Sequence, residues 1–144
     1  EGYLLNTCAE AKQFVEEVDV PAVKIMLDTF HMNIEEDDMV EAILLAGDRL
    51  GHFHVGENNR RLPGKGGMPW YQIGSALRAI GYHKNVVMEP FVRSGGGVGS
   101  DIKVWRDLSK GADEQRLDLD AAASVAYLRN VFSGPNSDYT SVLR

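Results

Sequence analysis

Three short apolar segments, each running into a charged or imidazole side chain, constrain this sequence most strongly. Their sequences are VKIMLDTF, HFHVG and NVVMEP, and each has the length and the β-branched content of a strand. Amphipathic segments of about 10 to 15 residues separate them, which is typical of βαβ units. The chain is therefore predicted to be an α/β protein with a parallel sheet. Right-handed crossovers would bring the carboxyl ends of all strands to one edge of that sheet.

Local signals predict where the helices begin and end. Thr7 and Glu10 form a capping box that starts a helix ending near Val18, and Gly81 follows a helix predicted over 71–80. Further helices are predicted over 35–49, over 101–108 and over 118–132, and the glycine-rich RSGGGVGSD is expected to be a mobile loop. The residues predicted to face inward are Cys8, Ala11, Val15 and Val18 on the first helix, Met39, Ile43, Leu44, Ala46 and Leu50 on the second, and Leu119, Ala122, Val125 and Ala126 on the last.

Composition restricts the class of protein. A chain of 144 residues is expected to form a single domain over 1–144, and Cys8 alone cannot form an internal disulfide framework, which favours a reducing, cytoplasmic location. The net charge of −6 argues against a nucleic-acid partner, and the sequence lacks the run of about 18 apolar residues that a membrane span needs. Because the chain begins with Glu1, we expect it to be a processed or truncated product.

Polar side chains occur at the end of each predicted strand. Asp28, His54 and Glu89 would meet at one rim of a parallel sheet, the edge at which (β/α) barrels carry their active sites. Two carboxylates and one imidazole form a hard set of oxygen and nitrogen donors, suited to Mn²⁺, Co²⁺, Mg²⁺ or Zn²⁺. Each residue also has a structural alternative, respectively a helix cap, a hydrogen-bonded core histidine and a buried ion-pair partner. Three such coincidences on three consecutive strands are less expected by chance than any one of them, and on this chemistry alone the metal site and the structural alternatives are about equally supported.

Three longer motifs resemble one enzyme family. VKIMLDTFHMNIEE, LGHFHVGENNRRLPGKG and VVMEPFVR followed by GGGVGSDIKVWRDLS are similar to the ketose 3-epimerases of D-tagatose, D-allulose (psicose) and L-ribulose. The resemblance implies a (β/α)₈ TIM barrel, of which this chain would be the C-terminal half. It also implies a homo-oligomer and one divalent metal, Mn²⁺ or Co²⁺ before Mg²⁺ or Zn²⁺, held by two Glu, one Asp and one His.

The resemblance assigns Asp28, His54 and Glu89 to three of those four metal ligands. Glu89 would also be one member of the acid–base pair that moves the proton at C3 of a free ketose through a cis-enediolate. The metal would polarise the ketose carbonyl and acidify the neighbouring C–H bond.

The substrate contacts are implied in the same way. His31 and Arg60 match residues that contact the sugar oxygens near the reacting carbon, and Glu1 matches a glutamate that touches the same end of the ketose. Phe91 is a candidate pocket wall because it lies two residues past Glu89 at the same rim.

The chain departs from the family in what it lacks. The fourth ligand, which is also the second acid–base glutamate, would lie before Glu1 together with the first half of the barrel. We therefore expect either the missing N-terminal half-barrel as a partner or a second copy that covers the open sheet. The alternatives are an aldose–ketose isomerase or another keto-sugar epimerase, and a non-catalytic half-barrel that binds carbohydrate or serves assembly. An AP endonuclease of the same barrel type is disfavoured by the acidic net charge.

Overall fold

The computed structural model describes residues 4–134. Glu1, predicted to contact the ketose, and the segment 135–144, predicted to be irregular, lie outside the described residues. Within residues 4–134, no helix combines the length and the apolar character that crossing a bilayer would require.

In the described part of the chain, three parallel strands form the sheet, as predicted. They are β1 (Ile25–Asp28), β2 (Leu50–Val55) and β3 (Val86–Met88), and they lie side by side in chain order. The register pairs Asp28 with His54 and pairs His54 with Val87. Successive crossovers therefore bring the three strand ends to one rim.

Residues 4–134 also form six α-helices. They are α1 (Cys8–Val18), α2 (Thr29–Glu35), α3 (Met39–Ala46), α4 (Trp70–Ala79), α5 (Gly96–Asp101) and α6 (Glu114–Ser133), with a 3₁₀ turn at Gly47–Arg49. The capping box of α1 is present, because Thr7 accepts from the backbone of Glu10 while the Glu10 carboxylate accepts from Thr7 N–H. Gly81 has a φ of +65°, the left-handed conformation expected just past a helix end.

Two predicted helices were placed wrongly. The helix predicted over 35–49 is α3 preceded by α2, because the Asp38 carboxylate accepts from Val40 N–H and Glu41 N–H and so begins a new helix. The helix predicted over 101–108 is absent, since Asp101 ends α5 and Lys103, at φ +63°, turns the chain away. Most of the segment predicted to be a mobile loop, RSGGGVGSD, forms α5, and only 93–95 lie outside this helix.

Five of the residues predicted to face inward are buried, namely Cys8, Val15, Ile43, Ala46 and Leu50. The prediction was wrong at Val18, Leu44 and Leu119, which are all exposed. The error is largest in α6, which buries Ser124, Leu128 and Val131 and leaves Ala122 and Ala126 exposed. Contacts with α4 select this face, since Arg78 Nη1 donates to the carbonyls of Val131 and Phe132 at 3.2 and 2.9 Å.

The two faces of the sheet differ sharply. One face is buried under the helices and carries Ile25, Leu27, Phe53 and Val55. On the other face, Met26 and Val87 keep 56% and 40% of their surface exposed. Helices therefore cover one side of the parallel sheet and leave the other open, as in half of a (β/α)₈ barrel.

Candidate metal centre

The three predicted ligands meet at the carboxyl end of the sheet. His54 Nδ1 lies 3.3 Å from Glu89 Oε2 and 3.5 Å from Asp28 Oδ2. One donor atom from each residue falls within 4.8 Å of the other two. Among residues 4–134 this is the only such cluster of three or more His, Cys, Asp or Glu side chains.

Backbone geometry explains the convergence. Asp28 and His54 are register partners, so their side chains project from the same face of the sheet. Glu89 lies two residues past Val87, the register partner of His54, and thus projects from that face as well. Glu89 N–H still donates to Val55 C=O at 3.3 Å, and Pro90, which has no N–H, ends the pairing.

Asp28 serves the fold and the centre with different oxygens. Its Oδ1 accepts from Phe30 N–H at 2.8 Å and from His31 N–H at 3.4 Å, which makes Asp28 the N-cap of α2. Its Oδ2 faces His54. The structural alternative and the ligand hypothesis are therefore compatible, because the cap fixes the orientation of the carboxylate.

The donor set fits a divalent cation. Two carboxylates and an imidazole are hard ligands, and a cation between them would offset the repulsion of the two negative charges. The side chains of Asp28 and His54 are 11% and 19% exposed, whereas that of Glu89 is 49% exposed. Three protein ligands with one open side are typical of catalytic rather than structural metal sites.

A cleft of about 800 Å³ opens beside the triad. Its lining includes Glu89 and three of the residues predicted to contact substrate, which are His31, Arg60 and Phe91. The structure thus brings all of the predicted site residues within 4–134 into one region. Their roles toward a substrate stay predictions.

Arg60 belongs to the loop that follows β2, and its side chain lies between α2 and the segment that follows β3. Its guanidinium lies 3.6 Å from the centre of the Phe30 ring and 5.6 Å from that of Phe91, a cation–π arrangement. Its backbone has a φ of +65°, which is uncommon outside glycine. The Arg60 carbonyl accepts from Phe91 N–H at 3.0 Å, so the two cleft residues are joined through the backbone.

His31 lies in the first turn of α2, directly above the Asp28 cap. Its ring meets the Phe30 ring edge to face, with 5.4 Å between the centroids. The start of α2 therefore places three neighbouring side chains. Asp28 faces the triad partner His54, and Phe30 and His31 line the cleft.

Sequence reasoning missed Glu57, the most deeply buried charged residue described. It is 0% exposed, and its carboxylate accepts from Gly64 N–H, Met68 N–H and Trp70 Nε1–H at 2.6, 3.1 and 2.7 Å. Glutamate in a polar loop normally indicates solvent exposure. The sequence offered only an indirect indication that Glu57 is buried. A Trp, whose indole N–H can donate, and several glycines, which allow close backbone approach, follow Glu57 within 13 residues.

Comparison with known proteins identifies the family. A profile described as xylose isomerase-like TIM barrel matches residues 1–116. The D-psicose 3-epimerase of Agrobacterium fabrum is 60% identical over 134 residues, which are 93% of this chain and 46% of that protein. The D-psicose 3-epimerase of Enterocloster bolteae is 59% identical over 132 residues, covering 92% of this chain and 44% of that protein.

A crystal structure shows the same likeness in three dimensions. The D-psicose 3-epimerase from Clostridium cellulolyticum, solved with D-tagatose, superposes with a TM-score of 0.90 at 59% identity, over 92% of this chain and 46% of that one. The chain spans slightly less than half the length of these relatives. The chain therefore belongs to the xylose isomerase-like TIM barrel family and is similar, at about 60% identity, to one half of its D-psicose 3-epimerases.

Proposed function

We propose that this chain is the metal-binding half of a ketose 3-epimerase, which inverts C3 of a free ketose. The observation that carries the proposal is the meeting of Asp28, His54 and Glu89 beside a cleft lined by His31 and Arg60. The similarity to D-psicose 3-epimerases supports it independently.

The triad would hold one divalent cation, Mn²⁺ or Co²⁺ in our proposal. When bound, such an ion supplies Lewis acidity that polarises the ketose carbonyl and lowers the pKa of the adjacent C–H bond. Asp28 would be the most strongly oriented ligand, because its second oxygen caps α2.

Glu89 is the proposed acid–base residue of this chain. It is the most exposed member of the triad and also lines the cleft, so its carboxylate can reach a bound sugar. It would remove the C3 proton from one epimer to give a cis-enediolate, or return a proton to that same face. A second group on the opposite face is needed for inversion.

His31 and Arg60 would bind the oxygens of the ketose around C3. Negative charge grows on those oxygens as the proton leaves, and Arg60 offers a permanent positive charge held against Phe30. Phe91 would form an apolar wall of the cleft. Glu1 remains a predicted contact to the same end of the sugar.

The second acid–base group and the fourth metal ligand would come from outside this chain's described part. The edge strands β1 and β3 are suited to pairing with the remaining half-barrel or a second copy, which would also cover the open face that carries Met26 and Val87. The small-molecule ketose would then bind between the two halves.

The direct test combines two measurements on one sample. Intact-mass spectrometry establishes which chains are present, and an assay with D-fructose and Mn²⁺ follows formation of D-allulose. Epimerisation that needs both Mn²⁺ and Glu89 supports the proposal. Absence of epimerisation from a sample that also contains the rest of the barrel, with metal bound, would refute it.

Epimerisation at C4 of a keto sugar is a second candidate. The 3-dehydro-D-guloside 4-epimerase of Escherichia coli is 37% identical over 94 residues, 65% of this chain. Ketohexoses and 3-keto sugars should therefore be compared side by side. Turnover of only the 3-keto sugars would replace the C3 assignment with this one.

A further inference from the structure

Glu57 is a buried carboxylate that the proposed reaction does not use. It lies between β2 and α4, three residues after His54, and no part of it is exposed. Its Oε1 accepts from Gly64 N–H and Trp70 Nε1–H, while its Oε2 accepts from Met68 N–H. Gly64 and Met68 belong to the segment 56–69, which connects β2 to α4 and is named here the β2–α4 loop, and Trp70 is the first residue of α4.

The Glu57 carboxylate joins the start of the β2–α4 loop to its end, because Glu57 lies at the start and bonds to Met68 and Trp70 at the end. A buried anion is costly unless strong hydrogen bonds satisfy it, and bonds to a charged group contribute more than neutral ones. A neutral amide could accept from Gly64 and Trp70 with its oxygen. Its NH₂ group would then face Met68 N–H, so one donor would lose its acceptor.

The same loop determines where Arg60 lies. Glu57 C=O accepts from Arg60 N–H at 3.0 Å, and Glu57 N–H donates to Arg61 C=O at 3.2 Å, which closes a tight turn. Arg60 sits in this turn at φ +65°, and its guanidinium reaches over the Phe30 ring. A left-handed arginine persists only where its surroundings enforce that conformation.

Gly66 shows how closely the loop wraps the carboxylate. A Cβ at Gly66 would lie 2.4 Å from Glu57 Oε2 and 2.8 Å from Asn58 Oδ1, both closer than real contacts allow. The neighbouring Gly67 differs, because a Cβ there would meet its nearest atom, Asn58 Nδ2, at an ordinary 3.5 Å. An alanine at Gly66 therefore displaces the carboxylate without removing it.

We propose that Glu57 is a positioning residue, whose buried carboxylate orders the β2–α4 loop so that Arg60 is presented to the substrate in the cleft. The inference rests on the proposed function for the role of Arg60. The ordering of the loop by Glu57 stands apart from that function and can be measured separately.

The first experiment measures loop order without any substrate. Trypsin cleaves after Arg60, Arg61 and Lys65, all in the β2–α4 loop, and cleavage of the native protein reports how often this loop opens. Glu57→Gln and Gly66→Ala should raise the cleavage rate by about tenfold or more, since each loses hydrogen bonds to a buried anion. Gly67→Ala is the matched control and should cleave like the unsubstituted protein.

The second experiment asks whether Glu57 acts through Arg60. Glu57→Gln should lower kcat/KM for D-fructose by roughly tenfold when Arg60 is present, and by less than about twofold in an Arg60→Ala background. Mn²⁺ affinity should be unchanged, because the Glu57 carboxylate bonds to Gly64, Met68 and Trp70 and is not one of the proposed ligands. A merely structural role would give the same fold-loss in both backgrounds.

The outcomes of the two experiments test the positioning role of Glu57 and the proposed function separately. Equal trypsin cleavage for Glu57→Gln, Gly66→Ala and Gly67→Ala would overturn the positioning role, as would equal losses of kcat/KM in the two backgrounds. If the unsubstituted protein, together with the rest of the barrel and with metal bound, does not epimerise ketoses, the proposed function fails while the trypsin comparison still tests loop order. If Glu57→Gln does not fold, Gly66→Ala carries both measurements.

Discussion

Asp28 and His54 occupy paired positions on adjacent parallel strands, and His54 Nδ1 lies 3.5 Å from Asp28 Oδ2. This relationship comes from backbone hydrogen bonding and not from loop conformation. Asp28 Oδ1 also accepts from Phe30 N–H at 2.8 Å, so the α2 cap holds one oxygen of the carboxylate while the other faces His54. The sheet therefore preorganises two of the three proposed ligands before any cation binds.

The two roles of Asp28 can be separated by substitution. Asparagine is as good an N-cap as aspartate, whereas alanine cannot cap, and both lack the charge that faces His54. We expect Asp28→Ala to be less stable than Asp28→Asn by about 1 kcal/mol in urea unfolding. Mn²⁺ affinity, measured by calorimetry, should fall in both. Equal stability of the two variants would contradict the capping role.

Thr29 ties α2 to the end of β2 through a single hydroxyl. Its Oγ1 donates to Gly56 C=O at 2.7 Å and accepts from Gly56 N–H at 2.9 Å, and the residue is 0% exposed. Thr29→Val keeps the shape but leaves two buried groups unpaired, so the free energy of unfolding should fall by about 2 to 4 kcal/mol. Thr29→Ser keeps the hydroxyl and should lose only about 1 kcal/mol. Equal losses in urea unfolding would show that the hydroxyl is unimportant.

Arg60 and its neighbour Arg61 form a matched pair. Arg60 lines the cleft, whereas Arg61 Nη1 donates to Leu108 C=O at 3.2 Å. We expect Arg60→Ala to lower kcat/KM for D-fructose roughly 10²-fold, because charge on the sugar oxygens loses its stabiliser. Mn²⁺ affinity should not change. Arg61→Ala is the control, and an equal loss of kcat/KM there would argue against a specific role for Arg60.

Stability should fall at alkaline pH in part through Cys8. Burial raises the pKa of the Cys8 thiol from 9.0 to about 11, and the Glu36 carboxylate acts in the same direction. The native state therefore keeps its proton where the unfolded chain loses it, so this contribution is complete below pH 9 and is lost as the pH rises through 11.

Urea unfolding of the metal-free protein across that range measures the effect. Cys8→Ala should show a shallower decline than the unsubstituted chain. Burial also raises the pKa of Tyr82 to about 12, but that contribution is common to both proteins and cancels in the comparison. Parallel declines would mean that the thiol does not titrate differently in the two states.

The meeting of three side chains at the strand ends could be predicted from the sequence. It depends only on the alternation of strands and helices along the chain and on the parallel order of the strands. Asp28, His54 and Glu89 each follow an apolar run, and a parallel sheet leaves no freedom about where such positions meet. The same local reasoning located the capping box at Thr7. Helix faces were less predictable, since α6 carries Leu119 and Leu128 on different sides and only packing against α4 selects between them.

Glu57 shows what local sequence patterns do not contain. Its burial depends on backbone N–H groups of Gly64 and Met68, and such donors are present at every non-proline residue. No periodicity marks which of them converge. Side-chain chemistry predicted the triad, whereas the loop that presents Arg60 depends on backbone geometry that only the folded chain provides.

Deuterium exchange at C3 of the sugar tests the central claim most directly. Proton removal at C3 requires one base and the metal, so exchange in heavy water does not need the second acid–base group that inversion needs. We predict Mn²⁺-dependent exchange at C3 of one epimer, D-fructose or D-allulose, abolished by chelation and lowered roughly 10²-fold or more by Glu89→Gln. Absence of metal-dependent exchange at C3 from both sugars, or exchange unaffected by Glu89→Gln, would contradict the account.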